Sequence, residues 1–305
     1  MAFIAGRTSA LILLTAVGLS ACSSAEPSSS TSSDGLSIVA TTTMLGSVVG
    51  DLAACAGGEV TTLLPNGADP HDFAPSSQQV ASLVHADIVI ANGLGLEGGL
   101  VDALESAKSD GATVYEVAPD ISPRKFAGTT TPDPHFWFDM TRMAHAVELI
   151  GDQLAVKGGA KYKSCATAEA EKIRSAEQEV KAILASVPAK RRVLVTDHDA
   201  FGYFANAYGY SIVGAVIPSG TTLAEPSTVD LAALAKTITD KGVTAIFANT
   251  NTPKALATAV AGEVGYPVSV VDLYVDSLGP AGSSAGTYIG YMHTDAQRIA
   301  EALKS

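Results

Sequence analysis

The sequence predicts an α/β protein of two lobes, each a mostly parallel sheet flanked by helices, joined by one long rigid helix. Three patterns indicate this fold. Short runs of β-branched residues alternate with helix-like periodicities, this alternation occurs twice along the chain, and one long amphipathic stretch separates the two series. Open sheets of this kind bind ligands beyond the carboxyl ends of their strands, so we expect a site in the cleft between the lobes.

The two halves of the chain repeat the same order of elements. In the first half the predicted strands are 37–42, 60–64, 87–91 and 113–117, and the predicted helices include 77–86 and 100–109. In the second half the predicted strands are 192–196, 211–217, 245–248 and 268–273, and the predicted helices are 201–208, 228–241 and 253–264. Strands that alternate with helices are typical of parallel sheets, because a crossover must return the chain to the start of the next strand.

A long amphipathic pattern lies between the halves. From Gly159 to Pro188, apolar residues recur at three- and four-residue steps, at Tyr162, Ala166, Ala170, Ile173, Ala176, Val180, Ile183 and Val187. One helix here would be on the order of 38 Å long and would run along both lobes; two helices broken near Ala168 are the alternative. We therefore expect an N-terminal lobe at 36–158, a linking helix at 159–188 and a C-terminal lobe at 189–305.

The first 21 residues read as a secretory signal peptide. Arg7 precedes an apolar run, and small residues precede Cys22. The run is shorter than the roughly 20 residues of a membrane-spanning helix, which disfavours a transmembrane anchor. Residues 19–22 resemble a bacterial lipobox, which implies cleavage before Cys22 and acylation of that cysteine. The Ser-rich stretch 22–35 has nothing large to bury, so we expect a tether that holds an exported protein on the outer face of the cytoplasmic membrane.

Charge and cysteine content fit this location. The formal charge of −12 becomes −13 when Arg7 is removed with the signal, and an acidic chain disfavours a nucleic-acid partner. We expect a monomer. With Cys22 assigned to the lipid, Cys55 and Cys165 remain as an even pair in an oxidising compartment. A disulfide between them and two unpaired cysteines both fit the sequence, which does not fix their Cα separation.

A glycine-rich motif raises a different possibility. Residues 93–98 match G-x-G-x-x-G after a predicted strand, and Glu116 lies in the next strand, as in a dinucleotide site. The motif follows a third strand and does not open the fold, and an exported chain is separated from cytoplasmic nicotinamide pools. We therefore interpret it as a turn and a helix start.

Three of the six histidines lie at predicted strand exits or in loops. His71 and His135 lie in proline-braced loops, and His198 follows the predicted strand at 192–196. These three imidazoles are therefore expected to converge in the cleft. His85, His145 and His293 lie at the end of a helical pattern or inside one, and we do not expect them to bind a ligand.

At these residues the chain resembles the metal-specific solute-binding proteins of ABC importers, the zinc- and manganese-binding lipoproteins of cluster A-I. The shared elements are P-H-D-F-x-P-S at 70–76, N-G-L-G-L-E at 92–97, D-P-H-x-W-x-D at 133–139, T-x-H-D-A-F-G-Y-F at 196–204, A-E-P-S at 224–227 and D-S-L-G-P at 276–280. The resemblance covers nearly the whole mature chain. It implies that His71, His135, His198 and Asp276 bind a divalent metal, which the protein hands to a membrane permease.

Three imidazoles and one carboxylate suit Zn²⁺ in four-coordination, with Mn²⁺ as the alternative. Family members that handle manganese commonly have a carboxylate where His198 stands, which favours zinc here. The absence of histidine from 119–133, where many zinc-specific members have a His-rich loop, favours manganese. Of the two carboxylates that flank His198, Asp197 and Asp199, one is expected to orient an imidazole.

The alternative from another class is an exported zinc hydrolase, in which Asp276 or Glu225 would act as a base on a zinc-bound water. The sequence has neither H-E-x-x-H nor G-x-S-x-G, and we predict that the protein is not an enzyme.

Overall fold

The first sheet positions two of the predicted metal-binding loops. The computed structural model describes residues 35–304, and the predicted signal peptide and Cys22 lie outside the described residues. The first elements are β1 (Ser37–Ala40), α1 (Thr43–Ala56), β2 (Glu59–Thr62), α2 (Ser77–His85), β3 (Ile88–Ala91), α3 (Val101–Ser109) and β4 (Val114–Glu116). The strands are parallel in the order β2-β1-β3-β4. All four residues of β3, Ile-Val-Ile-Ala, are buried, as expected for a parallel strand covered on both faces.

Two helices follow and lead to the second sheet. They are α4 (Met140–Gly158) and α5 (Lys161–Ala185). The remaining elements are β5 (Val193–His198), α6 (Gly202–Tyr208), β6 (Ser211–Ile217), α7 (Thr228–Lys241), β7 (Ala245–Asn249), α8 (Ala255–Glu263), β8 (Ser269–Leu273) and α9 (Tyr288–Lys304). These strands are parallel in the order β6-β5-β7-β8. The predicted fold of two parallel-sheet lobes flanked by helices is confirmed.

The helix α5 is continuous through Ala168, so the alternative of two shorter helices is wrong. Its 25 residues extend over about 38 Å. It packs along α4 and contacts both α1 beside the first sheet and α9 beside the second. The largest hydrophobic cluster likewise includes Ile38 of β1 and Leu194 of β5. Since one hydrophobic cluster includes residues of both sheets, the packing marks no boundary between lobes. The lobe boundaries at 158 and 188 therefore stay a prediction.

The predicted cysteine pair lies where these helices meet. Cys55 of α1 and Cys165 of α5 have their Cα atoms 5.8 Å apart and their sulfur atoms at bonding distance. The helices are otherwise held by packing, because the buried stripe of α5 contains Tyr162, Ala166 and Ile173. Among the described residues, none of the helices combines the length and the apolar character that crossing a bilayer requires.

The glycine-rich motif forms a turn, as expected. Gly93 and Gly95 have φ values of +83° and +79°, and Leu94 between them also has a positive φ. The buried carboxylate of Glu97 accepts hydrogen bonds from the Thr41 hydroxyl and from the backbone N–H groups of residues 92 and 93. The motif therefore builds a tight loop before α3 around a buried acid.

Candidate metal centre

Four side chains from four chain segments meet between the two sheets. His71 lies in the loop after β2, His135 lies in the loop before α4, His198 ends β5, and Asp276 follows β8. One potential ligand atom from each lies within 4.8 Å of every other, and all four residues are buried. The structure therefore brings together all four residues that the sequence analysis singled out.

The position of His198 differs slightly from the prediction. It was expected to follow its strand, but it is the last residue of β5 and pairs with Ile217 of β6. The polar pair Asp197-His198 looks like the start of a loop in the sequence, yet both residues are buried. The strand β5 continues to His198 because the backbone of the adjacent strand β6 pairs with it as far as Ile217.

The same tripeptide, Asp-Pro-His, shapes both histidine loops of the first half. The backbone N–H of His71 donates to Oδ1 of Asp69 at 2.9 Å, and that of His135 donates to Oδ1 of Asp133 at 3.0 Å. An Asp side chain that accepts from the backbone two residues later stabilises a turn, and the intervening proline restricts φ. Each turn presents its imidazole at a fixed position.

Two carboxylates orient the imidazole rings. Asp133 Oδ1 accepts from Nδ1 of His135 at 2.8 Å, and Asp197 Oδ2 accepts from Nδ1 of His198 at 3.0 Å. An ionised carboxylate can only accept, so each Nδ1 carries a proton and each Nε2 faces the centre of the site, where the neutral ring can bind a metal. Of the two carboxylates that flank His198, Asp197 is thus the one that orients a ring, and Asp133 does the same for His135.

The carboxylate of Asp276 is also held by a neighbour. Nδ2 of Asn249 donates to Asp276 Oδ2 at 2.7 Å, while Asp276 Oδ1 lies 3.7 Å from Nε2 of His198. Sequence reasoning missed Asn249, which reads only as the polar end of an apolar strand. No signal in the sequence pairs it with Asp276.

Several inward-facing atoms of this group lack the partners that buried polar atoms normally have. Among residues 35–304, Nε2 of His71 and Oδ1 of Asp276 are buried without a hydrogen-bond partner. Nε2 of His135 and Nε2 of His198 lie 3.4 Å apart, and a proton on His198 Nε2 bridges them in the metal-free site. Buried acceptors without partners are costly. A cation at the centre would satisfy all four atoms at once.

The protonation of the site follows from burial and from its charges. Burial and the neighbouring rings of His135 and His198 lower the pKa of His71 to about 3, and burial together with His198 lowers the pKa of His135 well below its usual value. Burial alone would lower the pKa of His198 too, but the carboxylates of Asp276 and Asp197 outweigh it and raise that pKa to about 9. Two of the three rings are thus already in the neutral form that binds metal.

The remaining described histidines do not belong to this group. His85 ends α2 in an exposed position. The exposed His145 of α4 lies 3.7 Å from Glu148, and the half-buried His293 of α9 lies 3.2 Å from Glu179. Glu225, considered as a base in the hydrolase alternative, is exposed. These placements agree with the prediction that the site uses only the other three histidines.

A cavity borders the site at His71. This cavity of about 520 Å³ is lined by His71, Pro134, Asp199, Ser219 and Leu223, among others. Thr222 donates a hydrogen bond of 2.5 Å to Oδ2 of Asp69, and so connects the loop after β6 to the loop that carries His71. The cavity is lined by residues from both halves of the chain, such as Pro134 and Ser219.

The chain resembles proteins of several bacteria. It is 31% identical over 281 residues to the manganese-binding lipoprotein MntA of Bacillus subtilis, which covers 88% of this chain and 90% of that protein. It is 32% identical over 282 residues to the zinc-binding protein TroA of Treponema pallidum, with coverages of 88% and 90%. The manganese ABC transporter substrate-binding lipoprotein PsaA of Streptococcus pneumoniae is 26% identical over 307 residues, covering 96% of this chain and 97% of its own.

The fold and the family agree with these likenesses. The solved structure of periplasmic zinc-binding protein TroA from Treponema pallidum superposes with a TM-score of 0.82 at 28% identity, and covers 89% of this chain and 100% of that one. Residues 38–302 match the family described as ZnuA, zinc-uptake complex component A, periplasmic. The relatives above are named as manganese- or zinc-binding proteins, which agrees with the prediction that this protein is not an enzyme, and the chain belongs to the ZnuA family.

Proposed function

We propose that this protein captures Zn²⁺ outside the cytoplasm and delivers it to the permease of an ABC importer. The observation that carries the proposal is the buried set of donors, three imidazole nitrogens and one carboxylate oxygen within 4.8 Å of one another. Nitrogen and oxygen donors in a group of four match the preference of zinc for tetrahedral coordination.

The charges around the site support a divalent ion. A dication bound by Asp276 and three neutral rings leaves a charge of about +1, and the carboxylates that accept from His135 and His198 lie directly behind those rings. Such carboxylates make the imidazoles more basic and therefore better ligands. Members of the family are named as zinc- or manganese-binding, in keeping with a divalent cargo.

The choice of zinc over manganese rests on the identity of the third ligand, His198. A histidine at 198 gives a nitrogen-rich set, whereas manganese favours carboxylate, carbonyl and water oxygens. The affinity of almost any such site also increases from Mn²⁺ to Zn²⁺. Manganese remains the second candidate because relatives such as MntA and PsaA are named for it, and because 119–133 has no histidine.

Delivery follows from the placement of the ligands. His71 and His135 come from loops of the first half of the chain, and His198 and Asp276 come from the second half, so a bound ion links segments of both sheets. Metal capture then changes the contacts between the lobes, which a permease can recognise. Acylation at Cys22 would keep the monomer on the membrane beside its partner.

A competition titration of the purified, metal-free protein with Zn²⁺ and Mn²⁺ tests this proposal, with H198A as the ligand variant. H145A is the matched control, since His145 is a surface histidine with 53% of its side chain exposed. We expect one zinc per chain, bound at least about 100-fold more tightly than manganese, in the wild type and in H145A but not in H198A. Tighter binding of manganese than of zinc would show that manganese is the cargo. Binding of neither metal would overturn the proposal.

A further inference from the structure

We propose that Asn249 sets the metal selectivity of the site by restricting Asp276 to one coordinating oxygen. This inference rests on the proposed function, because it concerns the ion held by the same four ligands. Asn249 is fully buried at the end of β7, where it pairs with Leu273 of β8 three residues before Asp276. Its side chain is therefore fixed by the sheet next to the site.

The orientation of the Asn249 amide is defined by its two partners. Its Oδ1 accepts from the backbone N–H of Asn251 at 3.0 Å, so its Nδ2 is the group that faces the carboxylate of Asp276. A backbone N–H can only donate, and an ionised carboxylate can only accept. The reverse orientation would therefore place the amide NH₂ against the N–H of Asn251 and the amide oxygen against the carboxylate of Asp276. The amide is thus held as a donor to Asp276.

The two oxygens of Asp276 consequently differ. Oδ2 accepts the charge-assisted hydrogen bond of 2.7 Å from Asn249, whereas Oδ1 has no hydrogen-bond partner among the described residues and faces His198. Only Oδ1 is free to bind an ion without the loss of a buried hydrogen bond.

The residues on either side of Asp276 are anchored by hydrogen bonds. On one side, the carbonyl of Val275 accepts from Nε1 of Trp137 at 3.1 Å and from the Tyr291 hydroxyl at 3.2 Å. On the other side, the hydroxyl of Ser277 accepts from the N–H of Gly67 at 2.8 Å. With both neighbours anchored, the backbone of Asp276 is fixed, and the hydrogen bond from Asn249 then determines which oxygen faces His198.

This arrangement has a chemical consequence for the cargo. One oxygen and three nitrogens complete a four-coordinate shell that suits zinc. If Oδ2 were free, Asp276 could bind through both oxygens, and the fifth, hard donor would favour an ion that prefers more oxygen ligands, such as Mn²⁺. Asn249 therefore acts as a positioning residue that limits coordination number.

The test compares N249A and N249L with N251A and the wild type. Leucine has the branched shape of asparagine, with the same number of side-chain heavy atoms and no donor, and alanine removes the donor without added bulk. The Asn251 side chain contacts the Thr250 hydroxyl on the same loop and is not bonded to Asp276, so N251A is the matched control. Two quantities are measured on the full protein: the ratio of Zn²⁺ to Mn²⁺ affinities, and the visible absorption of the Co²⁺-loaded form, which is strong in tetrahedral sites and weak at higher coordination.

We expect the zinc-to-manganese ratio to fall at least tenfold in N249A and N249L, with a weaker Co²⁺ band, while N251A matches the wild type. An unchanged ratio and band in whichever Asn249 variant folds, as judged by circular dichroism, would overturn this inference and leave the proposed function intact. A wild-type protein that binds neither metal would overturn both.

Discussion

Nε1 of Trp137 donates a hydrogen bond of 3.1 Å to the backbone carbonyl of Val275. This contact joins the loop that carries His135 to the segment that carries Asp276, and the indole ring also lies 5.2 Å from the His135 ring, centroid to centroid. Trp137 is buried and its own carbonyl accepts from the Tyr288 hydroxyl at 2.7 Å. A ligand from each half of the chain is thus positioned against one side chain.

Metal binding is expected to change tryptophan fluorescence. The chain has a single tryptophan, so all indole emission reports on this contact. When an ion replaces the proton between His135 and His198, the field at the indole changes, and the emission should change until one equivalent of Zn²⁺ is bound. H198A should show no such step, and a flat titration of the wild type under conditions where it binds zinc would contradict the arrangement.

Loss of the charge behind His135 should weaken metal binding without unfolding the protein. In D133N the amide oxygen still accepts from Nδ1 of the ring, but the imidazole loses the carboxylate that makes it more basic. We expect zinc affinity to fall by about 10- to 100-fold. D199N is the control, because Asp199 is a nearby carboxylate whereas Nδ1 of His198 bonds to Asp197. Equal losses of zinc affinity in D133N and D199N would contradict this role, because they would show that any nearby negative charge has the same effect.

Zinc affinity is expected to increase with pH. The carboxylates of Asp276 and Asp197 raise the pKa of His198 to about 9 against the effect of burial, so near neutral pH this ring holds a proton that a metal must displace. Protons compete with the ion, and affinity should therefore rise by about tenfold per pH unit between pH 7 and pH 8.5. Burial raises the pKa of Asp276 to about 7, so the dependence should steepen at lower pH.

Competition titrations against a chelator at several pH values measure this slope. H145A should show the same slope as the wild type, because His145 lies on the surface outside the site. A wild-type affinity that does not vary between pH 7 and pH 8.5 would show that His198 is already neutral in the metal-free protein.

We propose that Cys55 and Cys165 are bridged in the mature protein. A bridge over a sequence separation of 110 residues restricts the unfolded chain, and by loop-closure entropy contributes about 4–5 kcal/mol to the free energy of unfolding. Unfolding in urea should shift to lower urea concentrations when a reductant is added. The C55A/C165A double variant should resemble the reduced protein and should not respond to reductant.

Local patterns predicted the fold well where periodicity was strong. The bounds predicted for β6 and α7 match the structure residue for residue, and most other ends differ by one or two residues. The continuous α5 could also be predicted, because Gly159 and Pro188 enclose an unbroken apolar stripe. The error at β5 arose because Asp197 and His198 are polar, and only pairing with β6 shows that they continue the strand.

The four candidate ligands were predictable, but the residues that orient them were less so. Asp133 carries a signal that was overlooked, since Asp-Pro-His occurs twice and the same turn forms at Asp69. Asn249 carries none: its contact with Asp276 spans 27 positions and arises only because β7 and β8 are adjacent. Residues that bind are visible in motifs, whereas residues that position them are defined by tertiary packing.

The most direct test of the central claim is a crystal structure of the zinc-loaded protein with anomalous scattering measured on both sides of the zinc absorption edge. We predict one strong zinc peak per chain, bounded by the rings of His71, His135 and His198 and by Oδ1 of Asp276. A structure without a peak among these residues, or with the zinc held elsewhere, would contradict the claim that they form the cargo site.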